Sequence, residues 1–180
     1  SLPTHAHHTD NFLPRSETFI YRPLLAHRRY RPVVLDRYRQ QNAAHFPFDA
    51  HFSPAARAGA LGSLTERVAL RLTGRSPALE RVMRREGVRL LHAHFGQLGA
   101  LWVPVARRRG LPLVCTFYGR DLAVFARAAR WQKRFAALWR HGTCFVTLGP
   151  RMAQQLVALC APESRVEIVP LIVDPLPPSP

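Results

Sequence analysis

Short apolar runs recur along the chain at intervals that leave room for a helix between them. Pro32 to Asp36 (PVVLD), Val88 to His94 (VRLLHAH), Leu113 to Phe117 (LVCTF), Cys144 to Leu148 (CFVTL) and Val166 to Val169 (VEIV) each have strand length and strand composition. Thr4 to Asp10 (THAHHTD) is a weaker strand, because histidines interrupt it. Longer stretches of helical periodicity separate these runs. Parallel strands need such crossovers, because each must return to its starting edge before pairing. The expected architecture is therefore α/β: one Rossmann-like, doubly wound, mainly parallel sheet with helices on both faces.

The crossovers have their own punctuation. Ser16 caps a predicted helix to about Arg29, kinked at Pro23. Gln40 to Ser53 reads as a loop with a short strand around Phe46. Pro54 to Thr73 carries Leu61, Leu64, Val68 and Leu72 on one helical stripe. Ser76-Pro77 starts a helix over Ala78 to Glu86, and Gly87 stops it. Further helices are expected from Gly96 to Gly110 with Pro104 inside, from Leu122 to His141 with a break near Ala128, and from Pro150 to about Cys160. The domain is expected to run over residues 1–173. Asp174 to Pro180 (DPLPPSP) reads as an interdomain linker or chain end.

Composition narrows the partners. The 180 residues carry a formal net charge of +15, and Lys133 is the one lysine among 26 basic residues. Such a surface favours phosphate-rich partners, although arginine-for-lysine usage also follows genome composition. Nucleic acid is not the expected partner: no recognised motif is present, and the basic patches lack aromatic platforms for single strands. Arg127 to His141 (RAARWQKRFAALWRH) is a basic amphipathic segment. It reads either as a helix packed on the sheet or as a contact with anionic lipid. No run approaches the roughly 20 apolar residues of a membrane span. No basic-then-apolar leader opens the chain. The three cysteines, Cys115, Cys144 and Cys160, match no zinc spacing and read as free thiols of a reducing, cytoplasmic compartment.

Ligands of open parallel sheets bind beyond the carboxyl ends of the strands, so the loops after strands are the candidate sites. The first holds Arg15, Ser16, Glu17 and Thr18, where a helix N-terminus presents free N–H groups to an anion; Ser16 and Glu17 also suit a plain capping role. The second is His92-Ala93-His94-Phe95-Gly96. Alternation puts both histidines on one face. His94, at the strand tip, suits acid/base work or a hydrogen bond to a substrate hydroxyl, and His92 suits a structural role. A metal is not expected, since no third ligand stands at helical spacing. The third is Thr116-Phe117-Tyr118-Gly119-Arg120-Asp121. Gly119 permits a sharp turn, Arg120 suits phosphate, and Asp121 suits either a helix cap or substrate hydroxyls.

Taken in order, SETFIYRPL, LLHAHFGQLGALWVPVARRRGLPLVCTFYGRD, FVTLGPRMAQQL and VEIVPLIVD resemble the N-terminal domain of family-4 GT-B glycosyltransferases, especially those that build bacterial exopolysaccharide and lipopolysaccharide. The resemblance covers nearly the whole chain and is weakest over Gln40 to Ser76. It implies half of a GT-B fold, the acceptor-side half of an enzyme that transfers sugar from a nucleotide-sugar to a glycan or lipid-linked acceptor with retention. It further implies no cofactor beyond the nucleotide-sugar co-substrate, and a donor-binding C-terminal domain outside these residues. The expected setting is cytoplasmic, with Arg127 to His141 as the candidate contact for the inner face of the plasma membrane. Arg15 to Thr18 would form the first loop, near donor phosphates and acceptor. His94, Phe95 and Gly96 would line the cleft. Tyr118 departs from the family pattern: it stands where many relatives have histidine, and a phenol does not titrate near neutral pH.

Overall fold

The computed structural model describes residues 2–14, 19–36, 40–53, 60–73, 76–125 and 128–171. The strands are β1 (Thr4–Thr9), β2 (Arg31–Asp36), β3 (His51–Phe52), β4 (Val88–His94), β5 (Leu113–Thr116), β6 (Cys144–Thr147) and β7 (Val166–Ile168). They form one sheet in the order β3-β2-β1-β4-β5-β6-β7. Every pairing in it is parallel. The helices are α1 (Tyr21–Leu25), α2 (Ala60–Thr73), α3 (Pro77–Arg85), α4 (Gly96–Arg109), α5 (Ala129–His141) and α6 (Pro150–Ala158). A π-helical turn spans Asp121–Phe125.

Strand alternation sorts side chains between two cores. Ala6, Val33, Leu35, Leu91, Ala93 and Cys115 face α3, α4 and α5, where Leu79, Met83, Leu98, Val103, Phe135 and Leu138 complete the larger core. Val34 faces the other way, onto a smaller cluster with Phe12, Leu13, Ile20 and Leu24 of α1. Helices thus cover both faces. Burying side chains such as Phe117 and Phe145 contributes about 1.5–3 kcal/mol each, and both are fully enclosed. Phe135, Leu138 and Trp139 of α5 are also buried. The aromatic stripe of this helix packs inward, with Lys133, Arg134 and Arg140 exposed.

Several sequence expectations shift. The short strand expected around Phe46 is instead β3 at His51–Phe52, because His51 and Phe52 pair with Val34 and Leu35 of β2. The first helix ends at Leu25 rather than Arg29. Its Ala26 N–H closes onto the Arg22 and Pro23 carbonyls, and the chain must already turn back to begin β2 at Arg31. The apolar stripe of α2 does not face the core: Leu61 and Leu72 are 82% and 79% exposed. This helix is tied down through its polar side, where Glu66 accepts from Ser76 Oγ at 2.5 Å and from the Ala78 N–H at 2.8 Å. The break expected near Ala128 is present: Ala128 is extended (φ −83°, ψ 122°) and opens α5. Residues 54–59 and the expected linker at 174–180 lie outside the described residues. Cys115 is buried, Cys144 half-buried and Cys160 exposed, all as free thiols.

Candidate functional site

The sheet order marks the candidate ligand position. From β1 the chain runs outward to β2, and from β4 it runs the opposite way to β5. The gap beyond the carboxyl ends of β1 and β4 is therefore the topological switch point, where crossovers diverge and leave a crevice. The loops there are Asp10–Pro14 after β1 and Phe95-Gly96 after β4. The turn after β5 lies next to them.

Backbone strain concentrates at this end. Leu13 has φ +58° and Phe95 φ +77°, conformations that a side chain disfavours. Gly96 follows immediately, opening α4. A Cβ on Gly96 would lie 2.3 Å from Phe117 Cε1 and 2.8 Å from Phe135 Cε1. Only glycine lets the helix start this close to the β5 turn. Gly119 supplies the other bend, at φ +101°.

Asp121 joins the two loops. It is 1% exposed. Its Oδ2 accepts from the Gly96 N–H at 2.9 Å, and its Oδ1 accepts from the N–H groups of Gly119, Tyr118 and Leu122 at 2.9, 3.2 and 3.2 Å. Burial raises its carboxyl pKa, and the N–H donors oppose that rise. The carboxylate thus holds the turn after β5 against the first turn of α4. Arg120 is exposed.

His94 sits at the tip of β4, 3% exposed. Its Nδ1 lies 2.7 Å from the Tyr118 hydroxyl and its Nε2 lies 3.0 Å from His7 Nδ1. Next in the chain of contacts, His7 Nε2 is 2.9 Å from His27 Nε2. Burial, with the neighbouring His5 and His8, lowers His94 to a pKa of about 3. The ring is therefore neutral near pH 7, holding one N–H and one lone pair. The half-buried Tyr118 ring packs against Phe95 at 4.8 Å and Phe19 at 4.7 Å between centroids. Tyr118, Phe95 and Phe19 form a small aromatic platform at the switch point, with His94 buried behind the phenol hydroxyl.

The structure brings His94, Phe95, Gly96, Tyr118, Gly119 and Asp121 together, as their order in the sequence required. Arg15, Ser16, Glu17 and Thr18 lie outside the described residues. His92 does lie on the same face as His94, with Nε2 at 2.7 Å from Thr116 Oγ1. Sequence reasoning missed His5, His7 and His27. Their signal was the alternation His5-x-His7 in a strand, which places both rings on the face that β4 gives to His92 and His94. It also missed Asp36, buried at the end of β2 and 2.6 Å from His51 Nε2.

The sequence pattern of Glycosyltransferase Family 4 matches residues 23–175. The chain belongs to glycosyltransferase family 4. None of the curated proteins matches its sequence. Solved structures share the fold of this family-4 domain. UDP-N-acetylglucosamine 2-epimerase from Rickettsia bellii superposes with a TM-score of 0.57 at 13% identity, over 92% of this chain and 44% of that one. S. aureus MnaA with UDP gives 0.59 at 10% identity, over 93% and 43%. UDP-GlcNAc 2-epimerase from Neisseria meningitidis bound to UDP-GlcNAc gives 0.56 at 10% identity, over 93% and 45%. The family-4 chain spans less than half the length of these proteins. At such identities the likeness is one of fold. Among the described residues, no helix of the family-4 domain is long and apolar enough to cross a membrane.

Proposed function

We propose that this family-4 domain is the acceptor-binding half of a retaining glycosyltransferase. The whole protein would move a sugar from a nucleotide-sugar to a glycan or lipid-linked acceptor in envelope polysaccharide synthesis. The observation that carries this reading is the platform of Tyr118, Phe95 and Phe19 at the switch point, backed by His94, in a chain whose family pattern spans residues 23–175. Aromatic faces stack on the apolar face of a sugar ring, while a fixed hydroxyl orients one sugar hydroxyl.

In this reading His94 acts on the acceptor through Tyr118. Both of its ring nitrogens already have partners, so it sets the direction of the phenol O–H and keeps the phenol from turning away. Tyr118 takes the position that histidine occupies in many relatives and supplies a hydrogen bond without a titrating proton. Gly96, Gly119 and Asp121 fix the two loops, and Arg120 together with Arg15 to Thr18 meets phosphate from the donor side. The donor itself would be held by a C-terminal domain, with transfer in the cleft between the halves. An anionic membrane surface is the setting proposed for a lipid-linked acceptor, given the net charge of +15.

The test is acceptor-dependent release of nucleotide by the whole protein from a panel of nucleotide-sugars. Release that needs an acceptor supports the reading. Interconversion of the nucleotide-sugar alone, with no acceptor, would replace it with isomerase chemistry on the same fold.

A further inference from the structure

On the sheet face covered by α1, β1 and β4 place a group of imidazoles that the proposed reaction does not use. One ligand-capable atom each of His5, His7 and His92 lies within 4.8 Å of the others. The His5 and His7 ring centroids are 4.0 Å apart, and the His5 and His92 rings are stacked at 5.5 Å. The trio is set by register rather than helical spacing: His7 pairs directly with His92, and His5 is two residues back on the same face. His27, just after α1, adds a further ring 4.8 Å from His5.

His5 marks the centre of interest. It is 5% exposed, and neither ring nitrogen has a hydrogen-bond partner among the described residues. A buried imidazole without partners is costly, and native structures rarely leave one unexplained. His92 has one nitrogen at Thr116 Oγ1, which leaves the other for the cluster. His5 is not sealed in. With His27, Tyr30, Leu90, Arg28 and Arg29 it lines a shallow pocket of about 510 Å³, which gives an ion a path from solvent.

We propose that His5, His7 and His92 bind a divalent transition-metal ion of the zinc class, with His27 or a water as the fourth ligand. Neutral imidazole is the ligating form, and burial holds all three rings well below their ordinary pKa. Two nitrogens on a tetrahedral zinc stand roughly 3.4 Å apart, so the trio has to close by roughly 1.4 Å at most. The His7 Nε2 to His27 Nε2 separation of 2.9 Å is already near a ligand–ligand distance. Coordination through His7 Nε2 would leave Nδ1–H donating to His94 Nε2. His94 would then donate from Nδ1 to the Tyr118 oxygen, so the Tyr118 O–H would turn away from His94. The ion would thus fix the direction of the platform's hydroxyl from further back along the same sheet face.

Untagged protein stripped with chelator and then dialysed against Zn²⁺ should retain about one ion per chain. Co²⁺ in its place should give the visible d–d bands of a four-coordinate nitrogen site. His5→Gln and His92→Gln should each weaken Zn²⁺ retention at least tenfold, whereas His45→Gln should leave it unchanged. Circular dichroism checks that the variants fold. If they do not, X-ray absorption on the unmodified Zn²⁺ protein decides by counting imidazole ligands: three or four support the site. No retention, retention unchanged in folded His5→Gln and His92→Gln, or fewer than three imidazoles would overturn the proposal. These readouts need no sugar or acceptor, so they stand apart from the test of the transferase reading.

Discussion

His7 and His94 are 87 positions apart and share a buried hydrogen bond, Nδ1 to Nε2, of 3.0 Å. The bond ties β1 to the tip of β4 at the switch point, and it needs a lone pair on one of the two facing nitrogens. Protonating both rings would place two N–H donors face to face in a dry site.

Burial of these histidines sets a pH dependence. His5 and His94 have pKa values of about 3, and His7 and His92 also lie well below the ordinary 6.5. Lowered folded values mean that the unfolded chain binds more protons between about pH 3 and 6.5. Stability should therefore fall as pH drops below about 6.5. Asp121, with its raised carboxyl pKa, works in the opposite direction at more acid pH. Urea midpoints measured with chelator at pH 7.5, 6.5 and 5.5 should decrease in that order. A flat or rising series would contradict the neutral cluster.

Gly96→Ala should destabilise the domain by about 1–3 kcal/mol, because the new methyl overlaps two packed aromatic rings. The loss should appear as a lower urea midpoint with an unchanged slope. A substitution within experimental error of the parent would mean that α4 can shift away from Phe117 at no cost.

Asp121→Asn keeps the shape and removes the charge. The amide offers one oxygen where two served four N–H groups, and its NH₂ faces a donor. The expected cost is about 2–3 kcal/mol. Hydrogen exchange should accelerate at the amides of Gly96 and Gly119 first. Uniform acceleration across the sheet, without that local excess, would argue against the clamp.

Leu61→Glu and Leu72→Glu should change stability by no more than about 0.5 kcal/mol, since both side chains are exposed. A loss of several kcal/mol in a thermal or urea titration would show that α2 packs its apolar stripe after all.

The sheet was legible in the sequence because parallel strands read as short apolar runs and need helical crossovers. Val88 to His94 matches β4 at both ends for that reason. The α2 stripe misled because periodicity reports a helix's own pattern and not which side the rest of the chain covers. The site was half legible. His94, Gly96, Tyr118 and Asp121 are close in sequence to strand ends, and chain order alone put them together. His5 and His7 were obscured because a histidine-rich strand looks unlike a core strand, and the partners that explain it are on β4, more than eighty residues away. The bond from Asp121 to Gly96 likewise spans 25 positions. Nothing in local sequence distinguishes it from an ordinary helix cap.

In the proposed transferase, Tyr118 is the group presented to the acceptor. The direct test is steady-state kinetics of the whole protein carrying Tyr118→Phe, with donor and acceptor varied separately. Loss of one oriented hydrogen bond, worth about 1–1.5 kcal/mol, should raise the acceptor KM or lower kcat about tenfold. The donor KM should stay unchanged. An altered donor KM with normal acceptor kinetics, or no kinetic effect in a folded variant, would contradict the account.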